Sequence, residues 1–255
     1  MCQARVGSRM ARITVLCVVA LAASAASAAT DRQTRVVALP PDRLLTVDLT
    51  IGSVKIEGSD RVDVELQIER QAPTTEGLAR IPVTIDETLA RVTVRGVQTD
   101  GTTDPAFRVD VTVRVPRAAI IERVQVLEGR ISIRQFSGRL TAGLKRGPIE
   151  GTDLSGTLRL ETEIGSITLT RTRLAPDGLV RLRAFNGDVR LSLVERPADA
   201  RILALALNGT IHSEIPLTMK DTWGPRWSEA TIGRGEPVIS LDVVTGTIEI
   251  KSPSQ

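Results

Sequence analysis

Aromatic, histidine and cysteine residues are scarce in this sequence of 255 residues, which contains three Phe, two Trp, one His and no Tyr. Aromatic rings line many enzyme pockets and carbohydrate clefts, so we expect few sites of that kind. The single histidine, His212, excludes a metal site built from several histidines. Both cysteines, Cys2 and Cys17, precede residue 29, so the remainder of the sequence offers no disulfide and no cysteine metal site.

An excess of charge of one sign is also missing once the N-terminus is set aside. The formal net charge of +3 comes from Arg5, Arg9 and Arg12, the only charged residues before Thr30. Binding of DNA or RNA depends on an excess of Lys and Arg that neutralises phosphates. The composition therefore argues against nucleic acid as a main partner.

Residues 1–28 have the order of a secretory signal peptide: three arginines, an apolar stretch over residues 13–22, and small residues ending in Ala26-Ser27-Ala28. The apolar stretch is shorter than the ~20 residues needed to span a bilayer. The residues before Cys17 are not the small ones of a lipoprotein cleavage site. We predict export to the periplasm or the medium, no integral membrane segment, and a single mature domain of residues 29–255.

Apolar and polar residues alternate through most of the remaining chain, for example over residues 47–51, 62–68 and 107–115. This period of two is typical of half-buried strands. No stretch of a dozen residues shows the 3.6-residue period of a helix. The sequence therefore predicts an all-β protein.

A glycine followed two residues later by Ile or Val recurs along the chain. The glycines of this pattern are Gly52, Gly129, Gly147, Gly165, Gly187, Gly209 and Gly246. Additional glycines between them bring the spacing of turns to about nine residues. We assign the following as structural turn glycines: Gly129, Gly138, Gly147, Gly156, Gly165, Gly178, Gly187, Gly209 and Gly246.

Self-similarity at this interval in an all-β chain is typical of a β-solenoid. The sequence thus predicts a β-solenoid-like stack of short strands, with residues 29–120 as an irregular N-terminal capping part and residues 121–251 as repeat coils. Asn186-Gly187 and Asn208-Gly209 are also hairpin signals, so an antiparallel meander is the alternative. Residues 247–250, followed by Lys251 and Pro253, are predicted to form a protected edge strand.

The repeat resembles the bacterial putative-adhesin family, a group of exported β-strand-repeat proteins of unknown function. The resemblance covers about residues 40–251. Its matching elements are Val113-Arg-Val115-Pro116, Gly129-Arg-Ile131, Glu163-Ile-Gly165-Ser-Ile167, Phe185-Asn-Gly187-Asp-Val189, Gly233-Arg-Gly235 and Val244-Thr-Gly246-Thr-Ile248. The resemblance implies a β-solenoid-like fold outside the cytoplasm and says little about a ligand.

Motifs of enzymes, nucleotide sites and calcium loops are missing from the sequence. His212 is predicted to be a solvent-facing strand residue. Glu161 and Glu163 would share one strand face, but the nearby arginines 159, 171, 181 and 183 favour cross-strand ion pairs over paired catalytic carboxylates. We predict no catalytic residue, no metal and no cofactor.

The longest interval between repeat glycines, from Gly209 to Gly246, contains both tryptophans. Trp223, Arg226 and Trp227 could contact a partner, because Trp and Arg dominate interface hot spots. The alternative is that the two tryptophans cover the C-terminal end of the apolar core.

These observations predict a non-enzymatic, adhesin-like binding or scaffold module of the cell envelope. It would contact a surface polymer or a protein through its strand faces or through residues 217–235. An accessory to an envelope-sensing membrane protein is the alternative, and a polysaccharide-acting enzyme is a minor one.

Overall fold

The computed structural model of the protein describes residues 28–220 and 226–253. The predicted signal peptide therefore lies outside the described residues except for Ala28, and so does Trp223. Among the described residues there are seventeen strands and one short 3-10 helix, Glu76–Arg80.

The strands of the N-terminal half are β1 (Ala29–Ala38), β2 (Leu44–Ser59), β3 (Asp63–Ala72), β4 (Val83–Glu87), β5 (Arg91–Gly96), β6 (Arg108–Pro116), β7 (Ile120–Phe136) and β8 (Arg139–Arg146). Those that follow are β9 (Ile149–Leu154), β10 (Thr157–Ile164), β11 (Ile167–Thr172), β12 (Leu179–Asn186), β13 (Val189–Leu193), β14 (Ala200–Ser213), β15 (Thr218–Lys220), β16 (Arg226–Ile232) and β17 (Val238–Lys251). The prediction of an all-β protein is confirmed.

Four long strands, β2, β7, β14 and β17, pair with different neighbours along their first and second halves, so the strands form two connected sheets. The front sheet contains the first halves and has the order β4, β5, β2, β7, β8, β10, β12, β17, β14, β16, β15. The back sheet contains the second halves and has the order β1, β3, β6, β2, β7, β9, β11, β13, β17, β14.

Eight strands of these sheets close into a ring, or parallel barrel, in which every neighbouring pair is parallel. Its order is β7, β8, β10, β12, β17, β13, β11, β9 and back to β7. The parallel pairs rule out the antiparallel meander. The ring also differs from the predicted β-solenoid-like stack of short strands, because the long strands β7 and β17 run through both sheets and join them at two ends, with the strands that do not belong to the ring lying outside it.

A column of seven glycines marks the bend between the two sheets. Its members in spatial order are Gly52, Gly129, Gly147, Gly165, Gly187, Gly246 and Gly209. A Cβ on Gly165 would lie 2.0 Å from the carbonyl oxygen of Gly147, and Gly165 has a φ of +145°. Only glycine permits both this close backbone approach and this φ, which explains the repeat in the sequence. The column begins at Gly52, inside the segment that the sequence analysis assigns to the N-terminal cap.

The last strands do not lie in the sheets in the order in which they follow along the chain. The strand β17 lies between β13 and β14 and pairs in parallel with both, so the prediction that residues 247–250 form an edge is wrong. The strands β15 and β16 cover the first half of β14 on its outer side. The last strand, β17, therefore pairs with β14 on the opposite edge, the one that faces the ring. Among the described residues, the second half of β14 has no strand on its outer side.

One apolar core lies between the sheets and draws buried side chains from both. Phe136 is its largest fully buried side chain, and Val124 and Ile131 come from the two halves of β7. Because alternate residues face the core, the residues between them form the outer faces of the sheets. The outer faces are where contacts with other molecules must be sought.

Candidate functional site

A groove with a volume of about 520 Å³ lies on the outer face of the front sheet. It crosses β7, β8, β10 and β12, and we call it the front groove. Gly143 lines it together with the polar residues Arg123, Gln125, Thr141, Lys145, Arg159, Glu161, Glu163, Arg181 and Arg183.

Strand register places these side chains in rows across the sheet. One row runs Gln125, Gly143, Glu161 and Arg183 on four successive strands. A neighbouring row runs Thr141, Arg159 and Arg181. Gly143 has no side chain, and a Cβ there would lie 2.8 Å from Gln125 Oε1. The glycine therefore forms the floor of the groove.

The charges of the front groove are unbalanced and mostly unpaired. Five cationic side chains line it beside only two carboxylates. Arg123 donates to Asp48 Oδ2 over 3.0 Å. Within the described part of the chain, the remaining charged groups of the groove, Lys145, Arg159, Arg181, Arg183, Glu161 and Glu163, have no opposite charge within 4 Å. The local excess of positive charge is hidden by the neutral composition of the chain.

The predicted ion pairs of Glu161 and Glu163 with neighbouring arginines do not form. Arg183 lies directly opposite Glu161, but its guanidinium carbon is 4.6 Å from the centre of the Phe185 ring. Such a cation–π contact holds the guanidinium over the ring instead of over the carboxylate. Arg171, another expected partner, pairs with Asp153 over 2.6 Å.

Arg159 and Arg181 are direct neighbours on adjacent parallel strands. Both side chains are exposed on the same face, and adjacent strands lie about 4.8 Å apart. Like charges directly opposite each other destabilise a sheet. This arginine pair therefore stands out as a feature that folding alone does not favour.

On the outer face of the back sheet, by contrast, several charged side chains form ion pairs with one another. Glu57 accepts from Lys55 Nζ over 2.5 Å and from Arg114 Nε over 3.1 Å. Arg114 and Arg61 both contact Glu65, over 3.0 and 2.9 Å. The hydrogen bond from Lys55, followed by that from Arg114, holds the pKa of Glu57 below its ordinary value of 4.5. Ion pairs thus extend across several strands of the back sheet.

The other acidic and basic candidates are not brought to the front groove. Asp188 accepts from Arg190 Nη2 over 2.6 Å and from the Thr247 backbone N–H over 2.9 Å, both on the back sheet. His212 is exposed on the second half of β14, next to Glu249 of β17. Neither residue can act together with Glu161 and Glu163.

Of the predicted partner-binding residues, the structure describes the side chain of Trp227 alone; those of Trp223 and Arg226 lie outside the described residues. Trp227 lies on β16 opposite Leu205 of β14 and is 43% exposed. Leu203, Leu205 and Leu207 alternate with buried residues of β14, and Leu207 is 47% exposed. Trp227 therefore lies on the outer face of the front sheet and does not fill the interior of the core.

Sequence reasoning missed several groove residues, namely Arg123, Gln125, Thr141, Gly143 and Lys145. One signal was available: Gly143 occupies an outward position within the alternating pattern of β8, where a polar side chain is expected. A glycine inside a strand often marks the close approach of another group.

The fold and the surface define an all-β protein with a parallel strand ring and an open, polar groove on one sheet. No family model matches the sequence, and no curated protein matches it either. Among the residues that the structure describes, no helix has the length and hydrophobicity needed to cross a membrane.

Solved structures are similar to this one. The structure is similar to that of a putative cell adhesion protein from Clostridium sporogenes, with a TM-score of 0.51 and 12% sequence identity over 88% of this chain and 100% of that chain. A putative adhesin from Bacteroides fragilis matches with a TM-score of 0.44 and 13% identity over 86% of this chain and 97% of its own. The resemblance to the putative-adhesin family is confirmed at the level of the fold.

Proposed function

We propose that the protein is a non-enzymatic, adhesin-like binding module of the bacterial cell envelope. Export by the predicted signal peptide, residues 1–28, would deliver residues 29–255 to the periplasm or the cell surface as one domain. The front groove carries this proposal, because its charged side chains lack partners within the described residues. Unpaired, exposed charges on a rigid sheet are available to another molecule at little conformational cost.

A non-enzymatic role is supported by the environment of the two groove carboxylates. Glu161 and Glu163 are both exposed in an open groove, whereas the general acid of a glycosidase such as lysozyme lies in an apolar environment. His212, the single histidine, lies on the other sheet. The groove is therefore suited to holding a ligand and not to activating one.

We interpret each pair of consecutive strands joined at the glycine column as one coil of a solenoid-like arrangement. Parallel, in-register pairing between successive units supports this interpretation. Such repeats present flat, extended outer faces, which suit the binding of long ligands.

Cell fractionation with crosslinking and mass spectrometry tests the proposed function. We expect the protein in the periplasmic or surface fraction, crosslinked through the front sheet to an envelope polymer or protein. Recovery in the cytoplasm, or crosslinks confined to the back sheet, would contradict the proposal.

An accessory role beside an envelope-sensing membrane protein is the second candidate, and the apolar strip of Leu203, Leu205, Leu207 and Trp227 favours it. Exposed aromatic and aliphatic side chains of this kind act as anchors in protein interfaces. Pull-down from solubilised membranes with wild type and the double variant Trp227→Ala, Leu207→Ser distinguishes the two candidates. One stoichiometric membrane protein that is lost with the variant supports the accessory role, and its absence supports the polymer-binding module.

A further inference from the structure

We propose that the front groove binds an acidic polysaccharide, with anionic groups of the polymer held between Arg159 and Arg181. This inference rests on the proposed binding function and names the chemical class of the ligand. It begins from the arginine pair, whose two guanidinium groups project from adjacent strands with no carboxylate partner among the described residues.

Two neighbouring guanidinium groups form a suitable site for a carboxylate, sulfate or phosphate. Each guanidinium offers several N–H donors in a fixed plane, and bonds to an anionic acceptor are stronger than those between neutral groups. An anion between Arg159 and Arg181 would also remove the repulsion between them. The other unpaired cations of the groove, Lys145 and Arg183, lie further along β8 and β12 and extend the positive region in that direction.

The two carboxylates indicate that the polymer carries hydroxyl groups as well as negative charges. Glu161 and Glu163 lie in the same groove, where they would repel a ligand that is anionic throughout. Ionised carboxylates accept hydrogen bonds and cannot donate them, so they require donors such as sugar hydroxyls. A ligand with alternating anionic and hydroxyl groups satisfies both kinds of side chain.

The shape and lining of the front groove favour a polysaccharide over other polymers. The groove crosses four strands, a length of roughly 14 Å at about 4.8 Å per strand. Single-stranded nucleic acid needs aromatic rings on which bases stack, and the nearby ring of Phe185 is already covered by Arg183. Protein partners need apolar pockets for hot-spot side chains, and the groove is lined mainly by polar side chains.

Binding of the purified protein to defined polymers tests the inference. The probes are polygalacturonate, which carries carboxylates, dextran sulfate, which carries sulfates, uncharged dextran, and single-stranded DNA. We expect binding to polygalacturonate or dextran sulfate that weakens as salt is raised, and none to dextran. The preferred probe identifies the anionic group.

The double variant Arg159→Gln, Arg181→Gln is compared with a control of equal charge, Arg134→Gln, Arg173→Gln. Arg134 and Arg173 are exposed outside the front groove and likewise have no ion pair within the described residues. We expect the groove variant to lose at least about tenfold in affinity, since each charged hydrogen bond contributes about a factor of ten. The control should retain nearly all of the affinity.

A third variant, Glu161→Gln, Glu163→Gln, tests the hydroxyl contacts against inorganic polyphosphate, which has no hydroxyl groups along its chain. The ratio of affinity for polygalacturonate to that for polyphosphate should fall in this variant. An unchanged ratio would overturn the role of the two carboxylates.

Three results would overturn the inference as a whole. They are no binding to either acidic polysaccharide, an equal loss in the groove variant and the control, and tighter binding to single-stranded DNA than to the preferred acidic polysaccharide. If the protein still crosslinks to an envelope component through the front sheet, the proposed function stands while the polysaccharide inference fails.

Discussion

The outer faces of the two sheets use similar side chains and satisfy them in different ways. On the back sheet, Lys55, Glu57, Arg114, Glu65 and Arg61 form a continuous series of ion pairs. On the front sheet, the charged residues of β8, β10 and β12 that line the front groove remain unpaired within the described residues. The same strand geometry permits both outcomes, so the difference lies in which residues are placed opposite each other. A face that pairs its own charges has little left to offer a ligand, and the front groove has much.

The largest expected effect comes from the glycine column, which joins the two faces. In Gly165→Ala the new Cβ would lie 2.0 Å from the carbonyl oxygen of Gly147, at a φ of +145°. We expect a loss of more than about 3 kcal/mol in the free energy of unfolding, from overpacking and backbone strain together. Chemical denaturation measures it.

Gly101→Ala is the matched control for that variant. Gly101 also has a positive φ, +69°, but a Cβ there would meet nothing within 4 Å. It should lose only about 1 kcal/mol, the cost of the backbone conformation alone. Equal losses in the two variants would mean that close approach along the column does not hold the sheets together.

A pair of glutamate variants compares the faces directly. Glu65→Gln removes ion pairs with Arg61 and Arg114 on the back sheet and should cost about 0.5–1 kcal/mol in the free energy of unfolding. Glu161→Gln removes a carboxylate that has no such pair and should cost less than about 0.3 kcal/mol. Thermal and chemical unfolding of both variants measures this difference. If Glu161→Gln is as destabilising as Glu65→Gln, Glu161 forms ion pairs in solution, and the proposed difference between the two sheet faces is wrong.

The smallest expected effect is the response of the back sheet to acid. The folded-state pKa of Glu57 lies below 4.5, because Lys55 and Arg114 favour its charged form. The stability it contributes is therefore present above pH 4.5 and is lost as the pH falls through the lowered pKa. Glu57→Gln should be less stable than wild type at pH 7, by less than about 1 kcal/mol.

That difference should shrink below pH 4.5. Unfolding of wild type and Glu57→Gln by urea at a series of pH values measures the difference in the free energy of unfolding. A constant difference down to the lowest pH would show that Glu57 acts through packing and not through its charge.

Much of the fold follows from local patterns in the sequence. Alternation over residues 107–115 predicts β6, and the repeated glycines predict the bends. The order of the last strands could not be predicted, because β14 and β17 have the same alternation and the same central glycine. Either strand would fit beside β12 and β13, and the pairing of β16 with the outer edge of β14 distinguishes them only in the structure.

The candidate site was only partly accessible to the same reasoning. The sequence places Glu161 and Glu163 on one face near several arginines, which is correct. Whether neighbours such as Glu161 and Arg183 then pair depends on side-chain conformation, and the ring of Phe185 decides it here. Composition was also misleading, because a neutral total conceals a local excess of positive charge.

The placement of β17 between β13 and β14 has a consequence for folding. A chain synthesised from its N-terminus presents β14 well before β17, so the strand that lies between β13 and β14 is the last to become available. Closure of the ring between β12 and β13 therefore requires the last strand of the chain.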